Sequence, residues 1–132
     1  MERSIIGEGT EIYGKVYNSV IGCNVLIGPD AVVRDSIIMN NAVIHEGCEL
    51  NKSIIAENTV IGANCILGAF DEVPNETDPH IYTHGLVTVG EDSVVPEGIR
   101  VGKNSVISGV TDASDYPDQT LGSGKTLIKV GE

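Results

Sequence analysis

Histidines are the side chains in this chain that could most directly bind a metal ion or transfer a proton. The chain has His45, His80 and His84. Three imidazoles are a common ligand set for zinc, and a single loop histidine can act as a general base. His80 and His84 lie among residues typical of turns, and His45 follows an aliphatic residue. We therefore expect solvated histidines and no metal site, with His84 as the best candidate for a general base.

The cysteines indicate packing more than chemistry. The chain has three cysteines and no C-x-x-C pair, which predicts neither a disulfide framework nor a zinc knuckle. Cys48 and Cys65 are 17 residues apart in equivalent positions of a repeat, so we expect them to stack in the core as small apolar residues. Cys23 occupies an outward position and is expected to be a surface thiol.

Two further patterns suggest phosphate or anion binding, and both are weak. The segment GSGKT (122–126) lacks the glycine that a P-loop needs five residues before its final glycine, because that position is Gln119. Arg100 and Lys103 flank one step of the repeat and could meet an anion, although a surface role fits them better. The carboxylates fall mostly on outward positions. They include Glu8, Glu46, Glu57, Glu91 and Glu97.

Composition limits the classes of function. The 132 residues fit one domain, and the net charge of −11 argues against nucleic acid and anionic membranes, both of which attract clustered Lys and Arg. No apolar run approaches the roughly 20 residues of a membrane span, and no leader pattern opens the chain. We predict a reduced, cytoplasmic protein that binds neither nucleic acid nor membrane.

A repeat must position these residues. NSVIGCNVLIGPDAVVR (18–34), DSIIMNNAVIHEGCELN (35–51) and KSIIAENTVIGANCILG (52–68) align without gaps. Their aliphatic residues recur at spacings of six, six and five, which fits neither an α-helix nor a simple strand. Such hexapeptide steps are typical of β-helices. The three aligned columns are Ile21, Ile38 and Ile55; Ile27, Ile44 and Ile61; and Val33, Leu50 and Leu67.

The residues between the aliphatic positions predict tight turns and narrow corners. Three residues after each aliphatic residue stands Asn, Asp or Gly, the types that adopt positive φ at low cost. These turn positions are Gly9, Asn24, Asp30, Asn41, Gly47, Asn58, Asn64, Asp92, Gly98 and Asn104. The next residue is usually small or β-branched, which would suit a position where a coil narrows.

The pattern predicts an all-β chain folded as a single-stranded parallel β-helix of about five three-sided coils. No coil can bury enough surface alone, so stability must come from stacking on its neighbours. We expect the β-helix over residues 1–108. Residues 69–85, which break the repeat, are expected to form a loop that leaves the solenoid and returns. We expect residues 109–132 to form a C-terminal tail or cap.

The finer sequence resembles one family. The coil openings NSVIG, DSII and KSII, the stretch SIIGEGTEIYGKV (4–16) and the stretch VTVGEDSVVPEGIRVGKNSVI (87–107) are similar to the C-terminal domain of bacterial ADP-glucose pyrophosphorylase, or glucose-1-phosphate adenylyltransferase. This resemblance implies a left-handed β-helix. It also implies a role in regulation and oligomer assembly, with an N-terminal catalytic domain and further copies of the chain as partners.

In that family the catalytic domain is Rossmann-like, carries a GGxGTRL-type signature and uses Mg²⁺ and ATP to make ADP-glucose for glycogen synthesis. This chain has no GGxGTRL-like stretch, so the resemblance assigns it no catalytic, cofactor-binding or metal-binding residue. We expect the segment alone to be inactive. The first coil begins at once after Met1, which favours a domain boundary there.

Two other functions remain as alternatives. A small trimeric hexapeptide acyltransferase would use His84 beside a coenzyme A groove between subunits. A zinc enzyme similar to hexapeptide-repeat carbonic anhydrases would need its three histidines gathered across a subunit boundary. Both depend on the loop histidines.

Overall fold

The regular secondary structure of the described residues consists of short β-strands, apart from two 3₁₀ turns. A computed structural model of the chain describes residues 4–69, 73–76, 80 and 85–129. The strands are β1 (Ile5–Ile6), β2 (Glu11–Ile12), β3 (Lys15–Tyr17), β4 (Val20–Ile21), β5 (Leu26–Ile27), β6 (Val32–Arg34), β7 (Ile37–Ile38), β8 (Val43–Ile44), β9 (Glu49–Asn51), β10 (Ser53–Ile55), β11 (Val60–Ile61), β12 (Ile66–Ala69), β13 (Val87–Val89), β14 (Val94–Val95), β15 (Arg100–Gly102), β16 (Val106–Ser108), β17 (Thr120–Leu121) and β18 (Thr126–Ile128).

These strands form three parallel sheets that make the three sides of a prism. Sheet 1 has the order β1-β4-β7-β10-β13-β16-β18, sheet 2 the order β2-β5-β8-β11-β14, and sheet 3 the order β3-β6-β9-β12-β15-β17. Each strand therefore pairs with the strand one coil before and one coil after it. The result is a β-solenoid of about seven turns, and its hexapeptide repeat fits the left-handed parallel β-helix that the resemblance implied.

The aliphatic columns face inward, as the spacing predicted. All nine residues of the three aligned columns are at most 1% exposed. Pairs such as Ile21 and Ile38, or Ile27 and Ile44, are direct partners across neighbouring strands. Successive side chains of a strand point to opposite sides of the sheet. In each two-residue strand, only the second residue therefore points into the core. Full burial of each such side chain contributes about 1.5–3 kcal/mol.

The predicted turns are also present. All ten predicted turn positions have φ between 55° and 75°. Three further positive-φ residues, Asn18, Asp35 and Lys52, lie at the third corner of the prism, with φ of 51°, 52° and 49°. The six-residue pattern does not predict these three, because the five-residue step shifts the turn and because lysine is not a typical left-handed residue.

A ladder of serines closes this third corner. Ser36 N–H donates to Ser19 Oγ at 3.1 Å, and Ser53 N–H donates to Ser36 Oγ at 3.0 Å. Each hydroxyl in turn donates to the carbonyl two residues earlier, as Ser19 does to Tyr17 at 2.8 Å. All three serines are buried. The ladder satisfies polar groups that would otherwise be costly at a tight corner.

Residues after 108 extend the solenoid beyond the five coils that the sequence predicted. Strand β17 pairs with β15, and β18 pairs with β16. Between β16 and β17 the chain leaves the regular repeat through 3₁₀ turns at Ala113–Asp115 and Pro117–Gln119. Tyr116 returns to the core and its hydroxyl lies 2.8 Å from Thr111 Oγ1. These turns interrupt the six-residue spacing, which hid this coil from the repeat pattern.

Part of the predicted loop 69–85 lies outside the described residues, but its described part packs against the solenoid. Asn104 Nδ2 donates to the carbonyl of Val73 at 3.0 Å, and Asn104 Oδ1 accepts from Gly85 N–H at 2.8 Å. Asn75 Nδ2 donates to the carbonyl of Asn104 at 2.8 Å. We call these three bonds the loop clip. The loop therefore both departs from and returns to the corner that Asn104 occupies.

We predict that Asn104→Gly lowers the free energy of unfolding by about 1–3 kcal/mol, because it leaves the buried Gly85 N–H without its partner. Glycine keeps the positive φ that this turn requires. Asn58→Gly is the matched control, since Asn58 has φ of 60° at an equivalent turn and an exposed side chain. Urea unfolding measures both variants. Equal losses for the two would contradict a structural role for the clip.

Candidate interaction faces

The two histidines that the structure describes lie in different parts of the chain. His45 is exposed at the turn after β8, and His80 is exposed in the loop. His84 lies outside the described residues, so its proposed role as a general base stays a prediction. Within residues 4–69, 73–76, 80 and 85–129, no group of three or more His, Cys, Asp or Glu side chains could hold a metal ion.

The cysteines lie where the repeat placed them. Cys48 and Cys65 are fully buried in the core, and Cys23 is exposed. The Cys48 thiol donates to the carbonyl of Gly62, and the Cys65 thiol to that of Pro96, both at 3.0 Å. The neighbouring Cys65 thiol and burial away from water raise the pKa of Cys48. Cys48 therefore stays a neutral packing residue and is a poor nucleophile.

GSGKT forms a turn between two strands, β17 and β18, and not the strand-to-helix junction of a phosphate loop. Gly124 adopts φ of 74° there, and its carbonyl accepts from Glu76 N–H at 2.7 Å. The segment thus anchors the loop. Arg100 is exposed beside Asp118 in one shallow depression, and this carboxylate disfavours an anion there.

The outward-facing residues differ among the three sides. Face 1, on sheet 1, presents Ile5, Val20, Ile37, Ile54, Thr88, Val106 and Thr126 in register. Face 2, on sheet 2, presents Glu11, Leu26, Val43, Val60 and Val94. Face 3, on sheet 3, presents Lys15, Val32, Glu49, Ile66, Arg100 and Thr120. Two of the three faces are therefore mainly apolar, and the third is mixed and charged.

Face 2 forms a continuous apolar strip with two shallow depressions. Leu26 is exposed and Val43, Val60 and Val94 are half-buried. One depression is lined by Tyr13, Leu26, Gly28, Pro29, Ile44, His45 and Glu46. The other is lined by His45, Val60, Gly62, Ala63, Val94, Val95, Pro96 and Glu97. A strip of this kind is typical of a surface that contacts another protein or domain.

Charge is distributed unequally over the corners of the prism. Edge 1–2, between sheets 1 and 2, carries Glu8, Glu57, Glu91 and Asp92. Edge 2–3 carries Asp30, Glu46 and Glu97. Among the residues that the structure describes, edge 3–1 carries Arg34, Lys52, Lys103 and Lys125 together with Asp35 and Glu76. Between residues 7 and 98, the first two edges have no Lys or Arg. Lys129 lies further along edge 1–2 and is ion-paired with Asp112 and Asp115.

The two apolar faces consist mainly of residue types that do no chemistry, so a search for catalytic residues in the sequence does not reveal them. The signal was present, since the residue before each inward aliphatic residue must point outward in a strand. At Val20, Ile37 and Ile54 that residue is itself apolar.

Among the described residues, no helix is long and apolar enough to cross a membrane.

We predict that one thiol per folded chain reacts rapidly with a thiol reagent such as DTNB, and that all three react after unfolding. Exposure makes Cys23 accessible, whereas burial protects Cys48 and Cys65. Absorbance at the product band measures the number of reacting thiols. Cys23→Ser should remove the rapid phase while leaving two thiols that react on unfolding. Rapid reaction in that variant would contradict the inward placement of the other two cysteines.

Comparison with known proteins agrees with this architecture. Residues 1–89 match the family described as GlmU-like, C-terminal hexapeptide. Over all 132 residues the chain is 60% identical to the glucose-1-phosphate adenylyltransferase of Lachnospira eligens and 40% identical to that of Acetivibrio thermocellus. It is 51% identical over 128 residues, 97% of the chain, to that of Thermotoga maritima.

The chain spans only about 31%, 31% and 30% of the length of these three relatives, and the part it matches is their C-terminal part. The resemblance read from the coil openings is thereby confirmed. The chain belongs to the GlmU-like, C-terminal hexapeptide family, in the form found at the C-terminus of glucose-1-phosphate adenylyltransferases.

Proposed function

We propose that this chain acts as the C-terminal β-helix domain of a glucose-1-phosphate adenylyltransferase, which converts glucose 1-phosphate and ATP into ADP-glucose and pyrophosphate for glycogen synthesis. The observation that carries this proposal is 60% identity over the whole chain to a protein of that name. The role that we propose for the domain is to support the assembly of the enzyme and to take part in its regulation. The β-helix built from the inward-facing repeat supplies a rigid support for the catalytic domain.

The chemistry of this reaction belongs to the additional N-terminal part of the relatives. Mg²⁺ would there neutralise the phosphates of ATP during nucleotidyl transfer. The described residues of this chain would contribute surfaces that pack against the rest of the enzyme. We infer a cytoplasmic location for the enzyme, because ATP and sugar phosphates are cytoplasmic metabolites.

Face 2 is the surface that we assign to the N-terminal domain. Its apolar strip runs over the outward residues Leu26, Val43, Val60 and Val94, and acidic edges border it on both sides. A second copy of face 2 would bring carboxylates against carboxylates, which costs free energy as the charges lose water. The fitting partner is an apolar surface bordered by Lys and Arg, and a different domain can provide this.

The size of face 2 suits a domain that is already tethered. Five strands at about 4.8 Å spacing give a strip that is small compared with the surface that stable, independent complexes bury. Covalent attachment raises the effective concentration of the partner, so a modest interface is sufficient. The acidic edges would then fix the orientation of the domain more than its affinity.

We predict that this chain alone makes no ADP-glucose, and that joining it to the N-terminal part of the Lachnospira eligens enzyme gives an active chimera. In the chimera, Val43→Glu should lower ADP-glucose formation about tenfold or more, because it places a charge within the domain contact. Val32→Glu is the matched control, since Val32 is a half-buried, outward-facing valine on face 3. Pyrophosphate release measures all variants.

Two outcomes would contradict the proposal. ADP-glucose formation by the isolated chain would show that the chain is catalytic itself. A chimera that is soluble and inactive beside an active parent enzyme would show that this chain cannot serve as its C-terminal domain. Equal activity of the two valine variants would remove only the assignment of face 2.

A further inference from the structure

Part of the loop crosses from the middle of the solenoid to the coil that contains β17 and β18. We call residues 73–76 the strap and residues 120–129 the last described coil. The loop clip joins the strap to Asn104. Further along the strap, Glu76 N–H donates to the carbonyl of Gly124 at 2.7 Å. The strap therefore connects two successive levels of the same corner.

Glu76 also occupies a hydrogen-bonding position at the edge of sheet 1. The outward residue of each strand in this sheet donates its N–H to the next coil, as Val106 does to the carbonyl of Lys125 at 3.0 Å. Thr126 is the equivalent residue of β18, and no described strand pairs with the other side of β18. Thr126 N–H donates instead to Glu76 Oε2 at 2.9 Å, across 50 residues of sequence. The carboxylate thus takes the place of the carbonyl that a further coil would provide.

Two more contacts fasten the strap to the same strand. Thr126 Oγ1 donates to Oδ1 of the buried Asn75 at 3.3 Å. Because Asn75 also donates to the carbonyl of Asn104, one side chain links the loop clip to β18. Lys125 Nζ lies 3.8 Å from the Glu76 carboxylate, but both side chains are more than half exposed or nearly so, and this ion pair adds little.

Gly124 provides the room that the strap needs. A Cβ added to Gly124 would overlap the carbonyl oxygen of Pro74 and lie 3.1 Å from that of Val73. A larger residue would therefore push the strap away from the corner. The segment GSGKT, which resembles a phosphate loop only in its letters, serves here as the seat of the strap.

The last described coil has a weaker core than the coils before it. Its inward residues Leu121 and Leu127 are only partly buried, whereas Leu67 and Val101 below Leu121, and Ile107 below Leu127, are fully buried. Segments with few buried apolar contacts open at the lowest cost in free energy. The hydrogen bonds from the strap are therefore a large part of what keeps this coil in place.

We propose that the strap holds the last described coil closed, and that this coil opens as a unit when the strap is released while β1 to β16 stay paired. The proposal is independent of the nucleotidyltransferase assignment, because it uses only contacts within this chain. It also couples the loop to the coil. By linkage, a partner that favours the released strap favours the open coil to the same extent, and the reverse also holds.

Hydrogen–deuterium exchange of the 132-residue chain, read by mass spectrometry of its peptides, tests the proposal. Glu76→Ala should speed exchange in residues 120–129 about tenfold, because Thr126 N–H loses a charged acceptor. Exchange in residues 20–61 should stay unchanged. Glu91→Ala is the matched control, since Glu91 is an exposed glutamate on edge 1–2, away from the strap. This control should leave exchange in residues 120–129 as it is in the unchanged chain.

A glycine pair tests the coupling in the other direction. Gly124→Ala should speed exchange at Glu76 N–H, because the added methyl group displaces the strap. Gly98→Ala is the matched control, since the two glycines have φ of 74° and 73° and alanine is similarly strained at both. At Gly98 an added Cβ has open space, with Gln119 Nε2 nearest at 3.5 Å. Exchange at Glu76 should not change in this control.

Three results would overturn the proposal. These are unchanged exchange in residues 120–129 of Glu76→Ala, an equal rise in residues 20–61 of that variant, and unchanged exchange at Glu76 in Gly124→Ala. Faster exchange confined to the strap and the last described coil in Glu76→Ala and Gly124→Ala, with neither control changing these residues, would support it.

Discussion

The structure depends on one constraint, which is that every coil must bring its strands into register with the coil before it. The parallel hydrogen bonds and the inward columns form only if each inward residue lies directly over its counterpart in the coil before, whether the coil takes 15 residues, as from Ile6 to Ile21, or 17, as from Ile21 to Ile38. Because an isolated coil buries too little surface to be stable, an error in one turn would unpair the strands on both sides of it. The left-handed backbone at the corners is therefore a requirement of the whole solenoid and not a local preference.

The sequence predicts what repeats and misses what occurs once. The columns and ten turns could be predicted because each recurs with the same residue types, as Ile27, Ile44 and Ile61 do. Lys52 could not, because stacking forces its positive φ against the usual preference of lysine. The loop clip at Asn104 joins residues far apart in the chain, and it resembles an ordinary turn asparagine in sequence. The last coil was hidden because the 3₁₀ turns around Tyr116 break the spacing.

The candidate site was harder to predict than the fold, for a physical reason. Catalytic residues are recognised by type, and the residues of this chain with such types are mostly buried packing groups, such as Cys48, or exposed and separate, such as His45. Interaction faces are recognised by position, and position becomes known only when the strands are in register. Val20 and Ile37 are unremarkable in sequence, yet their alignment on one side of the prism makes a surface.

The repeat that builds the prism also gives its three faces different outward residues. Repeated coils place every outward residue on one of three faces, so the two apolar faces share edge 1–2 but differ at their other edges. Face 2 is acidic on both sides and therefore favours a partner of different composition. Among the described residues, face 1 has an acidic edge on one side and the edge with Arg34, Lys52, Lys103 and Lys125 on the other, so its two sides differ in charge. The prism thus offers a different surface on each of its sides, and a partner that fits one side does not compete for the others.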